Sequence, residues 1–106
     1  MVAPAEYPQF AICESEEDGG TRLTLTGELD LATAPALTDR LNQSRADGRD
    51  VRLDLSKLGS VDCAGMSVLI QAVNAARTDG VRLDLEGNLA PRVRRLAELT
   101  HPDRFM

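Results

Sequence analysis

Three short segments share one alternation of apolar and polar side chains: Arg22-Leu23-Thr24-Leu25, Val51-Arg52-Leu53-Asp54-Leu55 and Val81-Arg82-Leu83-Asp84-Leu85. Leu23, Leu53 and Leu83 fall 30 residues apart. A period of two sends successive side chains to opposite faces, so each segment predicts a strand with one face buried and one wet or lightly covered. Between these strands the apolar spacing turns helical, first at Ala34, Leu37 and Leu41, then at Met66, Leu69, Ile70, Val73 and Ala76. Crossovers of this length make neighbouring strands parallel, and such connections are right-handed in almost all cases. A regular period also fits a solenoid, but three repeats with dissimilar helices favour βαβαβ.

Boundary signals agree. Thr33 is placed to cap the helix whose first turn holds Pro35, and Asp62 stands just ahead of a helix starting near Ala64. Gly48 and Gly80 are expected to end these helices. A last helix is predicted over about residues 89–99, with Val93, Leu96 and Ala97 inward and Arg92, Arg94 and Arg95 at the surface. Upstream, Phe10-Ala11-Ile12-Cys13 reads as a short opening strand and residues 14–20 as an acidic turn. The expected fold is α/β, a four-stranded, mainly parallel sheet with about three helices in the order β-β-α-β-α-β-α. It forms one domain over residues 1–106 with its core at about 10–99, and the tail from His101 to Met106 is expected to fray.

Charge and composition narrow the function. Seventeen acidic against 12 basic side chains give a net charge of -5, which disfavours nucleic acid and anionic membrane surfaces as partners. No apolar run approaches the ~20 residues of a membrane span, and the N-terminal residues lack a basic region followed by an apolar one. A cytoplasmic location without membrane insertion is the expectation. Cys13 and Cys63 are too few for a disulfide framework and are expected to be reduced, buried or half-buried thiols.

Catalytic chemistry finds little support. His101 is the single histidine, too few for a histidine-based metal set, and no glycine-rich run ends in Lys-Ser or Lys-Thr to cradle phosphate. Cys63 lies just before a helix, where the dipole favours a thiolate, but Asp62 opposes that and no positioned base accompanies it. Asp54 and Asp84 are expected on the wet face of the sheet, meeting Arg52, Arg82 or solvent. Neither an enzyme nor a cofactor is therefore expected.

Gly27-Glu28-Leu29-Asp30-Leu31-Ala32-Thr33-Ala34, followed by Asp54-Leu55-Ser56 and Val61-Asp62-Cys63-Ala64-Gly65-Met66-Ser67, resembles the STAS family of anti-sigma factor antagonists. The resemblance runs from about Phe10 to Leu99. It implies a docking surface at the start of the second helix and the adjacent loops, with Asp30, Thr33, Asp62, Cys63, Ala64, Gly65, Met66 and Ser67 as candidate partner-binding residues. The implied partner is a serine-kinase anti-sigma factor, whose capture frees a sigma factor. In that family a serine or threonine precedes the glycine and is phosphorylated by the kinase; here the position is Ala64.

A phosphate adds about -1.5 to -2 charges, and Ala64 has no hydroxyl to receive one. Three explanations stay open: binding without a phospho-switch, a switch elsewhere, or a departure from the sigma pathway. Ser56, Ser60 and Ser67 are the nearby hydroxyls. An alternative role uses the same fold as an accessory subunit binding the ATPase of an ABC-type membrane transporter, which needs no phosphorylatable serine. An exposed edge at the Phe10 strand also allows a dimer.

Overall fold

The computed structural model describes residues 10–17 and 19–100. The elements run β1 (Phe10–Glu17), β2 (Gly20–Leu29), α1 (Ala34–Ala46), β3 (Asp50–Val61), α2 (Cys63–Asp79), β4 (Leu83–Glu86) and α3 (Ala90–Thr100). The sheet order is β1-β2-β3-β4, antiparallel between β1 and β2 and parallel across the other two pairs. That is the expected β-β-α-β-α-β-α arrangement, with a mixed sheet.

Register explains the two faces. Leu23 stands beside Leu53 and Leu53 beside Leu85, so one row of leucines lines the helix side of the sheet. With Leu25, Leu29, Leu37, Leu69 and Val93 this row forms the core, and Leu23, Leu25, Leu29, Leu37, Leu53, Leu69 and Val93 are fully buried. The opposite face carries the alternate residues. There Arg22 donates to Glu86 at 2.5 Å, Asp54 at 3.1 Å and Glu17 at 3.3 Å, while Arg52 pairs with Glu17 and Glu86. The hydrogen bond to Glu86 raises the Arg22 pKa, outweighing the opposing desolvation. The Ser56 hydroxyl and amide hold the Asp54 carboxyl below its ordinary range, with Arg22 adding to this. Asp54 therefore meets Arg22 and Ser56 rather than Arg52 or Arg82.

Several boundaries differ from expectation for physical reasons. Residues 14–17 are strand, because Glu14 lies opposite Leu23 and reaches Arg40 of α1, while Glu17 meets Arg22; the turn shrinks to the neighbourhood of Gly19, at φ +76°. β4 starts at Leu83, not Val81, since the Val81 amide bonds back to the Ala76 carbonyl in closing α2. β3 runs to Val61 instead of stopping at Leu55, because two register shifts each give it one residue more than β2: Thr24 and Thr26 pair with Asp54 and Lys57, then Gly27 and Glu28 with Leu58 and Ser60. Both cysteines are exposed, not buried or half-buried. The tail from His101 lies outside the described residues.

Candidate functional site

The C-terminal ends of β2 and β3 come together where α1 and α2 begin, the side of a parallel sheet at which α/β proteins place their binding loops. Leu29 is the hinge of this arrangement. Its carbonyl accepts the Asp62 amide at 3.1 Å, and Gly65 packs so closely that an added Cβ would lie 2.5 Å from the same oxygen. Only glycine lets α2 start this near β2.

Asp62 caps α2. It is extended at φ -96° and ψ -172°, and its Oδ1 accepts the Gly65 amide at 2.9 Å, satisfying one of the orphan donors of the first turn. Thr33 occupies the corresponding position before α1, but its side chain makes no cap there. The Thr33 hydroxyl instead donates to the Glu28 carbonyl and accepts the Asp30 amide, both at 2.9 Å. Asp30 supplies the turn: its Oδ1 accepts the Ala32 and Thr33 amides at 3.0 and 3.1 Å. Both aspartates thus spend an oxygen on backbone amides, leaving their carboxylates to shape loops.

The candidate residues do not share one kind of surface. Asp62, Cys63 and Ser67 are exposed, Asp30, Thr33, Ala64 and Met66 are half-buried, and Gly65 is buried. Met66 also packs against the core. Gly65 presents no side chain to a partner; its contribution is the approach of α2 to Leu29. Ser67 Oγ accepts from Gln71 at 3.3 Å and lies on the outer side of the helix.

One residue escaped the motif reading. Leu31, at the tip of the loop that Asp30 and Thr33 tie down, is 76% exposed. Its only sequence signal is a large apolar residue between Asp30 and Thr33, in a turn with only Ala32 beside it. Among the described residues no group of three or more His, Cys, Asp or Glu side chains is arranged to hold a metal, and no helix is long and apolar enough to cross a membrane.

A family model described as Mlab, STAS domain matches residues 12–106. An anti-sigma-B factor antagonist of Bacillus subtilis (strain 168) is 28% identical over 85 residues, which are 80% of this chain and 77% of that protein. Another, from Staphylococcus aureus, is 32% identical over 75 residues, 70% of this chain and 68% of the relative. The crystal structure of an anti-sigma factor antagonist from Mycobacterium paratuberculosis shares the fold, with a TM-score of 0.63 at 24% identity over 93% of this chain and 85% of that one. Leucine rows, capped helix start and glycine contact thus sit in a chain that belongs to the STAS domain family and is of the anti-sigma factor antagonist type.

Proposed function

We propose that this chain is a non-catalytic regulator whose β2–α1 loop and α2 start dock on an anti-sigma factor of the serine-kinase type, releasing a sigma factor in the cytoplasm. The observation that carries the reading is the rigid shelf formed at Leu29: the hydrogen-bonded Asp30 turn holds Leu31 out in solvent beside the Asp62-capped helix bearing Cys63 and Ser67. A preformed shelf loses little conformational entropy on binding, and an exposed leucine on it supplies an apolar anchor. Asp30, Thr33, Asp62 and Gly65 build the shelf, while Leu31, Cys63, Ala64, Met66 and Ser67 face or flank the partner. Ala64 makes the interaction one that phosphorylation at the family position does not switch. The same missing hydroxyl favours one other reading, an accessory subunit on the ATPase of an ABC-type transporter, a role that needs no phosphoacceptor.

A tagged pull-down from the native host, with captured proteins identified by mass spectrometry, tests both. The wild-type chain is expected to retain an ATP-binding anti-sigma factor, and Leu31→Asp to lose it at least ten-fold while its thermal unfolding is unchanged. Ala64→Ser should add a phosphate when incubated with the captured kinase and ATP, whereas the wild type should not. Capture of a transporter ATPase, or a Leu31→Asp variant that binds like wild type, would overturn the antagonist reading of this surface.

A further inference from the structure

Beyond Asp54, β3 has a strand neighbour on one side only among the described residues. Its pairing with β4 covers Val51 to Asp54, whereas its pairing with β2 continues to Val61. β4 ends because Gly87, at φ +108°, turns the chain away, seated so close to β3 that an added Cβ would come within 2.8 Å of the Ser56 nitrogen. The chain then enters α3 at Ala90. Leu55, Ser56 and residues 58–61 of β3 therefore line a cleft of about 600 Å³, and no strand of the described residues fills it.

The walls of this cleft are uneven in chemistry. Leu58, Val61, Met66 and Leu89 are half-buried apolar side chains packed against the core. Arg92 is the one charged side chain lining the cleft among the described residues, in a chain whose net charge is -5. Unlike Arg22, Arg40, Arg45, Arg49 and Arg52, it forms no ion pair among the described residues. Edges that must stay unpaired are usually guarded by charges, proline or extreme shortness. Here Lys57 guards one end, and Leu58, Gly59, Ser60 and Val61 carry no charge.

We infer that this cleft is a strand-addition site, in which an extended segment of a protein partner pairs with residues 57–61 of β3, its alternate apolar side chains on Leu58, Val61, Met66 and Leu89 and a carboxylate beside Arg92. Five residues at about 3.3 Å each offer ~16 Å of edge, enough for a short peptide whose main chain supplies affinity and whose alternate side chains supply selectivity. The site adjoins α2 through Met66 but goes beyond the docking shelf and does not depend on which protein binds there.

A phage-displayed library of linear peptides, panned on the whole protein, supplies the probe. Enriched peptides should alternate apolar residues around an acidic one. Adding the best of them should slow hydrogen exchange of the amides of residues 57–61, and Arg92→Glu should weaken its binding about ten-fold, the scale of one charged hydrogen bond. Methylating alternate backbone nitrogens of the peptide should abolish binding in one phase and leave it intact in the other. Ser67→Glu, on the docking shelf, should leave peptide binding unchanged, so the two surfaces fail separately. The inference is overturned if no peptide is enriched, if bound peptide leaves those amides unprotected, or if the same amides become protected by rising protein concentration alone, which would mean self-pairing.

Discussion

Gly65 sits where a Cβ would press to 2.5 Å of the Leu29 carbonyl and 2.8 Å of the Leu29 side chain, so α2 must move if any side chain is added. Gly65→Ala is expected to destabilise by about 1–3 kcal/mol, the range of overpacking in a filled core, read as a lower urea midpoint. Leu31→Asp, on an exposed side chain, should leave that midpoint nearly unchanged. Part of this was legible in the sequence. An aspartate just before an apolar stripe announces a helix cap, and Asp62 is one. Thr33 carried the same signal and its side chain caps nothing, because its hydroxyl finds the Glu28 carbonyl across the loop, a partner set by the turn and not by spacing. The exposure of Leu31 was equally hidden, since it depends on how the Asp30 turn is tied. Cys13 and Cys63 are exposed for reasons of position: one lies on the uncovered face of an edge strand, the other begins a helix at its outer rim.

At the scale of elements, alternation located three strands but misjudged their lengths. Leu55, Leu58 and Val61 are three residues apart, a spacing that does not fit a regular strand. Each bulge in β3 adds one residue between successive core-facing side chains, so a period of two becomes a local period of three. β1 was shortened in the reading for a different reason: acidic residues suggest a turn, yet Glu14 and Glu17 are held in the strand by Arg40 and Arg22, partners distant in sequence or set by pairing. The helices were easier, because apolar spacing and the left-handed Gly80 at the end of α2 both act locally. Removing the α2 cap tests how much the element leans on it. Asp62→Ala should cost about 1 kcal/mol and raise hydrogen exchange at the Gly65 amide first, since that donor loses its acceptor.

Across the whole molecule, the two faces of the sheet answer to different forces. The leucine face is held by burial, which varies little with pH, whereas the other face is held by charges around Arg22. Because the folded state keeps the Asp54 carboxyl below its ordinary range, its contribution is complete above the unfolded value of ~3.9 and is lost as pH falls through the lower folded value. Asp54→Asn should therefore lower stability at neutral pH by about 1–2 kcal/mol, from the weakened bonds to Ser56 and Arg22. Chemical denaturation of both proteins on descending pH should show the gap closing in the acid range, and a gap independent of pH would contradict this role.

The two bulges in β3 also make that strand a ruler. They let it run the same distance as β2 while holding two more residues, and the second bulge ends just before Val61, beside Leu29. Paired without a bulge at Gly59, the same residues would carry every later position about 3.3 Å further along β2. The Asp62 amide would then miss the Leu29 carbonyl, and α2 would begin out of step with the Asp30 turn. Deleting Gly59 removes the extra residue itself, so Val61 is expected to stay beside Leu29, and both cooperative unfolding and capture of the wild-type partner should be retained; loss of capture would contradict this role of the bulge. The irregularity of the strand absorbs its extra residues, and so keeps the helix start and the binding shelf in step with the end of β2.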